Sequence, residues 1–273
     1  MDNALYLVAT PIGNLDDISK RAIETLKSVD IIACEDTRTS QKLLNRFDIK
    51  NKTTAFHKYN TAEKTDEIIN MIISGKAVAL ISDAGMPCIS DPGQYLVNKA
   101  RKSNIEIFVV PGPSAVVSAY ASSGFEYKGF SFYGFLENDN KKREKELEDI
   151  SNSILPSILY ISPHKMKNTL LELKNHLNNR EIFIIKEITK IYEKSMLTTI
   201  DEALKFYEHN TPKGEYVLIV KPLEEKQNED MILALKLAED MKKAGLSLST
   251  ACKITSKYFG VKKNQLYEKL KDD

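Results

Sequence analysis

The chain has no tryptophan, no two glycines in G-x-G spacing and no G-K-S/T triplet. The last two absences exclude the dinucleotide fingerprint and the P-loop, the common glycine-rich cradles for phosphates. A cofactor gripped by its phosphates is therefore disfavoured. Long apolar runs are also missing. Stretches such as Ala77 to Ser82 and Ile105 to Val110 fall far short of the roughly 20 residues a membrane helix needs, so no span and no membrane partner are expected. No basic segment leading into an apolar one precedes the strand-like run at Leu5, which suggests a cytoplasmic protein. Cysteine is scarce: Cys34, Cys88 and Cys252 are odd in number and far apart, which suggests reduced structural thiols. His57, His164, His176 and His209 are equally scattered, so no metal site is expected.

Charge of one sign is lacking overall. The net charge is +1, which on average argues against a nucleic-acid partner. Its distribution argues otherwise. Met241 to Asp273 holds eight lysines against three acids, a net +5, which leaves −4 for residues 1–240. A 273-residue chain with 42% apolar residues can bury two cores but hardly three, so the reading is two domains and a basic tail.

Strand and helix signals alternate through the first 120 or so residues, the pattern of a parallel α/β sheet. Strands are expected at Leu5 to Ala9, Ile31 to Cys34, Ala77 to Ser82 and Ile105 to Val110. Helical faces are formed by Ile18, Ala22, Ile23 and Leu26, and by Ile68, Ile69, Ile72 and Ile73. Asn60 with Glu63 reads as a capping box, and Gly75 as the stop. A second block is richer in β-branched and aromatic residues, with strands expected at Phe130 to Phe135, Ile158 to Ser162, Glu181 to Ile188 and Tyr216 to Val220. The charged run Asn138 to Asp149 reads as a solvated loop and helix start. The domains are set at 1–122, 123–222 and 223–273, the last a tail resembling a helix-turn-helix. Its small core is expected to take Ala251, Ile254, Tyr258, Val261, Leu266 and Leu270. Lys253, Lys257, Lys262 and Lys263 make it either an RNA reader or a merely solubilising surface.

Ligands of open parallel sheets bind at the strand ends. Three turns there stand out: Thr10 to Asp16, Ser82 to Gly93 and Pro111 to Ala115. Any one could be an ordinary strand-to-helix connection; together they suggest a site. Pro11 and Gly13 can fix a sharp path that brings backbone close to a ligand. Asp83 can hold a positive amino or sulfonium group, while Ala84, Gly85, Ser114 and Ala115 leave room for adenine and ribose. An adenosyl-amino-acid ligand suits them.

The strings LVATPIGNLDD, ACEDTRTS, SDAGMPCISDPG and VVPGPSA resemble those of the 16S ribosomal RNA cytidine 2′-O-methyltransferase family, of the tetrapyrrole-methylase-fold class. Farther on, FYGFL, LYISPHK, IIKEITKIYE and KGEYVLIV resemble that family's C-terminal motifs, so the match runs from about Leu5 to Val220. Ile161 and Lys165 depart from it, standing where the family is associated with Glu and Arg. The resemblance implies a two-domain α/β tetrapyrrole-methylase-like fold with S-adenosylmethionine in the cleft between domains. It also implies a homodimer, and methylation of the decoding-centre cytidine 1402 of 16S ribosomal RNA in the small ribosomal subunit. Implied cofactor contacts are Pro11, Asp83, Ala84, Gly85, Ile89, Ser90, Ser114, Ala115, Phe135, Leu136 and Ile161.

A sulfonium methyl is already electrophilic, so such an enzyme must mainly align a ribose 2′-oxygen, aided by a base or a cation near the developing alkoxide. Lys186, Glu187 and Lys190 could supply that pair, or could form a surface ion pair instead. Arg38 and His57-Lys58-Tyr59 could make an RNA-facing rim, since Arg and Lys bind phosphate and Tyr or His stacks on bases. The alternative is that Glu35-Asp36 beside Arg38 only caps the following helix, whose apolar face is Leu43, Leu44 and Phe47. Two rival functions are a tetrapyrrole C-methyltransferase, whose G-G-D-P turn is absent, and a non-catalytic RNA-binding protein.

Overall fold

A computed structural model describes the chain except residues 58–59, 223–226, 262 and 272–273, and leaves aside the side chains of 227–231, 265 and 268. Lys58, Tyr59 and Lys262, named above, lie outside the described residues.

Five short strands, β1 (Leu5–Val8), β2 (Ile31–Cys34), β3 (Lys52–Ala55), β4 (Val78–Ile81) and β5 (Ile107–Val110), form a parallel sheet in the order β3-β2-β4-β1-β5. β1, β2 and β4 are buried along almost their whole length, as expected where helices cover both faces. On one face, α1 (Lys20–Ser28) and α2 (Thr37–Arg46) press Leu26 and Leu44 against Tyr6, Val8, Ile32 and Ile81. On the other, α3 (Thr61–Ile73) and α4 (Gln94–Lys102) press Ile68, Ile72 and Leu96 against Leu5, Leu7 and Leu80. Two expectations are corrected here. β3 is a strand that the sequence pattern does not announce, and Asn60 makes no capping box. Its amide bridges the turn before α3 instead, accepting from the His57 backbone N–H (2.9 Å) and donating to the Ala55 carbonyl (3.1 Å).

The second sheet is mixed, in the order β6-β7-β10-β8-β9. Its strands are β6 (Ser131–Phe135), β7 (Ser157–Ile161), β8 (Glu181–Lys186), β9 (Lys194–Thr199) and β10 (Tyr216–Val220). β6 and β7 are parallel and the other pairs antiparallel; β9, too, is absent from the expected strands. One face is covered by α6 (Asn140–Asn152), α7 (Met166–Leu177) and α8 (Ile200–His209) through Leu147, Ile150, Leu170, Leu173 and Ala203. The other is covered by α5 (Ala115–Ser123), which follows β5 yet packs Val116 and Ala119 against Ile158, Phe183, Val217 and Ile219. The helix that closes the first block is thereby built into the second, running past residue 122.

The tail comprises α9 (Gln227–Lys243), α10 (Leu248–Phe259) and α11 (Lys263–Lys271), with Gly260 in the left-handed conformation at the end of α10. Its core holds Ala251, Val261, Leu266 and Leu270, as expected, with Ala234, Ala238 and Cys252. Ile254 and Tyr258 do not belong to it. They stand exposed because successive turns of α10 bury the Ala251–Cys252–Thr255 stripe instead.

Candidate active site

The parallel sheet brings the three turns singled out above to one edge, where they are tied together. The Thr10 and Gly85 backbones exchange hydrogen bonds of 2.9 and 3.1 Å, and buried Thr10 Oγ1 donates to the Ser82 carbonyl at 3.1 Å. Gly85 has φ +79°, and a Cβ there would come within 3.3 Å of Ile12 Cγ2, so the turn keeps glycine for both conformation and space. Ser114 caps α5 by accepting from the Val117 N–H, at 3.5 Å. The Asp36 N–H donates to Asp83 Oδ1 at 3.3 Å, joining the end of β2 to the same edge.

Facing these turns are the end of β7 and the start of β10, which are neighbours because Tyr216 pairs with Ile161. The two walls enclose a cleft of about 350 Å³, lined mostly by apolar and small side chains. Of the expected cofactor residues, Asp83, Ala84, Gly85, Ile89, Ser90, Ser114, Ala115, Phe135 and Ile161 line it. Pro11, Gly13 and Leu136 do not. Pro11 is buried and Ile12 takes its place at the cleft, while Leu136 faces the core of the second domain. Gly13 backs onto the loop after β8, where a Cβ would come within 2.6 Å of Lys190 Cγ and 2.8 Å of Thr189 Oγ1. The sequence reading missed Ile12, Met86, Asp91, Tyr160 and the Gly214 to Val217 stretch, all at the cleft.

Two carboxylates, Asp83 and Asp91, line the cleft. Burial raises the Asp83 carboxyl above the usual carboxylate range; the Asp36 N–H opposes the shift and the Asp36 charge adds to it. Burial likewise raises Asp91, with Ser82 opposing and the Asp83 charge adding. A positive group between them relieves both. Tyr160, pushed up to about 12 by burial and then by Asp91, stays a neutral phenol.

Lys190 Nζ bridges Glu187 Oε1 (2.9 Å) and Glu215 Oε2 (2.8 Å), while the Glu215 N–H donates to Glu187 Oε1 (2.9 Å). Glu187 and Thr189 both have positive φ, +54° and +64°. Glu187, Lys190 and Lys186 do not line the cleft, and Glu215 is the member of the cluster that does. Arg38 turns its guanidinium back onto Asp36, the cap of α2, and holds that carboxyl at about 2. This is the capping arrangement, with the Arg38 side chain exposed. His57 lies half-buried at the end of β3. On the tail, Lys253 and Lys257 are exposed along α10 and Lys263 donates to Ser249 Oγ at 3.1 Å.

Two such sheets with a cleft between them are the fold of the tetrapyrrole-methylase class. Residues 4–204 match the family model described as Tetrapyrrole (Corrin/Porphyrin) Methylases. Solved structures agree at the level of fold alone. A diphthine synthase superposes with TM-score 0.62 at 14% identity, over 80% of this chain and 89% of its own. The methyltransferase CobJ gives 0.61 at 16%, over 81% and 94%. Sequence relatives are nearer. "Ribosomal RNA small subunit methyltransferase I" of Halalkalibacterium halodurans is 46% identical over 80% of this chain and 75% of its own. That of Streptococcus pyogenes is 37% identical over 98% and 94%, and that of Mesomycoplasma conjunctivae 47% over 83% and 94%. The chain belongs to the ribosomal RNA small subunit methyltransferase I family.

Proposed function

We propose that this protein transfers the methyl group of S-adenosylmethionine to the ribose 2′-oxygen of a cytidine in small-subunit ribosomal RNA, cytidine 1402 by the resemblance of its motifs. The observation that carries this reading is the cleft itself. A cradle of small residues (Ala84, Gly85, Ser114, Ala115) lies beside the carboxylates of Asp83 and Asp91, both of which line the cleft. That combination fits an adenosyl group with a cationic tail and does not resemble a phosphate cradle. The names of the relatives support ribosomal RNA as substrate.

When bound, S-adenosylmethionine supplies a sulfonium methyl that needs no further activation. The chain's own tasks are orientation and proton management. Asp83 and Asp91 hold the cationic end; Ile12, Ile161 and Val217 exclude water from the reacting side; Ser114 and Ala115 fix the nucleoside end at the start of α5. The group that takes the ribose proton belongs to the Lys190–Glu187–Glu215 cluster, whose Glu215 reaches the cleft. The protein works in the cytoplasm, as a homodimer. The edge strand β5, where Phe108 and Val109 stand exposed, leaves a surface for the second copy.

The test is to incubate the purified protein with unmethylated small ribosomal subunits and methyl-labelled S-adenosylmethionine, then to digest the RNA and analyse the nucleosides by mass spectrometry. Label in 2′-O-methylcytidine is expected. Label on a base, or none in RNA, overturns the reading.

A further inference from the structure

Strand β6 lies at the edge of the second sheet and carries a bulge. Its ladder with β7 pairs Phe132 with Ile158 and then Gly134, not Tyr133, with Leu159. Gly134 has φ +65°, the left-handed conformation that glycine adopts without steric cost. One extra residue reverses the parity of everything after it. Phe132 packs on the α5 side of the sheet and Tyr133 on the opposite side. Simple alternation would send Phe135 to Tyr133's side, into the core under α6 and α7. The bulge sends Leu136 there instead and turns Phe135 out at the cleft, where the residue is 59% exposed.

This exposure is supported from beneath. The Phe135 ring meets Tyr160 edge to face at 5.5 Å, and Tyr160 meets Phe132 at 5.0 Å. Next to the cofactor cleft, and sharing Ile89, Ser90 and Phe135 with it, lies a second recess of about 290 Å³, completed by Phe132, Tyr133 and Gly134. Ser90 closes on the bulge, its Oγ 3.2 Å from where a Gly134 Cβ would stand. No core role accounts for a large aromatic ring held at the junction of two recesses. A stacking role does, because unpaired bases are bound on exposed aromatic faces.

We propose that the recess beside the β6 bulge seats the unpaired pyrimidine of the target nucleotide, with Phe135 as its stacking platform. This rests on the RNA-methylation reading and assigns the base-binding side of the same site. A base held there leaves its own ribose at the Ile89–Ser90 boundary, where the recess opens on the cofactor cleft. Phe135 then belongs to substrate rather than to cofactor, which departs from the role its motif resemblance implies.

The test compares Phe135→Leu, Phe135→Ala and Phe135→Trp with the wild type in the full-length protein. It measures KM for unmethylated small subunits, kcat, S-adenosylmethionine affinity by calorimetry, and melting temperature. Stacking contributions of the usual size predict a roughly 5- to 100-fold rise in KM for subunits with Leu and Ala. Trp restores it to near wild type, and cofactor affinity stays within about twofold in all three. Leu keeps the site apolar, so an unchanged KM in Phe135→Leu overturns stacking. A loss of cofactor affinity that tracks side-chain size returns Phe135 to the cofactor site and also overturns it. A wild-type protein that methylates no RNA overturns the underlying reading instead, a result visible before any variant is made.

Discussion

Lys190, its aliphatic stem set directly against Gly13, reaches Glu187 at 2.9 Å. The same ammonium holds Glu215 at the cleft, so one side chain links the first turn of the chain to the wall opposite. Burial works against the charge of Lys190, but the two carboxylates overcome it and raise its pKa.

Lys190→Ala should therefore lower turnover by tenfold or more while S-adenosylmethionine affinity stays near wild type. The folded state should lose only about 1–3 kcal/mol, the usual cost of orphaning a partly buried partner. Glu187→Gln keeps the acceptor for the Glu215 N–H and should be milder. Single-turnover rates and melting curves decide the matter: unchanged rates in both variants would remove the cluster from the chemistry.

Asp83→Asn gives two effects of opposite sign. Because the folded protein raises this carboxyl above 3.8, ionising it costs stability in the free protein, and that cost disappears as pH falls through the raised value. The Asn variant should melt higher than wild type at neutral pH and bind S-adenosylmethionine more weakly. Wild-type affinity should also fall on acidification from a pH above 3.8, with the Asn variant flatter. Calorimetry across pH checks both; equal affinities at neutral pH would place the cation elsewhere.

Gly13→Ala should be costly for a residue outside the cleft. Its Cβ meets Lys190 Cγ at 2.6 Å, Thr189 Oγ1 at 2.8 Å and the Ile188 carbonyl at 2.9 Å, and overpacking of this kind costs about 1–3 kcal/mol. The Asn14 N–H to Thr189 hydroxyl bond of 3.0 Å should be lost with it. A melting temperature within a degree of wild type would show that the loop yields freely.

Among the described residues the tail has its own core, sharing none with the other cores. Deleting 230–273 should leave cofactor affinity and the main melting transition intact. RNA binding should weaken and become less sensitive to salt, its slope falling by roughly 0.7–0.9 for each phosphate the tail neutralises. An unchanged salt slope would leave Lys253 and Lys257 as solubilising charges.

Strands rich in Val, Ile and Leu were legible because burial on both faces writes itself as a continuous apolar run. β3, Lys-Thr-Thr-Ala, and β9, Lys-Ser-Met-Leu-Thr-Thr, carry no such run: each is an edge strand with one neighbour and solvent beside it. The first wall of the site was equally legible, since Asp83, Gly85 and Ser114 lie in turns whose composition is unusual locally. The second wall was not. Tyr160 and Glu215 meet only because antiparallel pairing sets Ile161 beside Tyr216, a relation more than fifty residues long. Pro11, Gly13 and Leu136, expected at the cofactor, fall outside the cleft lining for a related reason. Each sits one or two positions from a lining residue, and the local sequence does not say which side of a turn or strand faces the ligand.

Helix α5, capped by Ser114 in the first wall, is embedded by Val116 and Ala119 in the second sheet. Close-packed cores resist such a helix tilting independently of its bed. Its tether to the first sheet is Pro111-Gly112-Pro113, where a Cβ on Gly112 would stand 2.9 Å from that of Ala9. The covalent link between the two halves is thus one stiff tripeptide at a crowded pivot, seconded by the Gly13–Lys190 and Asn14–Thr189 contacts. A joint built this way is expected to slide by small amounts, as packed elements do in shear motions, rather than to swing wide. Under the proposed function, the ribosomal RNA substrate meets a slot of nearly fixed gauge, which a nucleotide is expected to enter only by leaving its own stack.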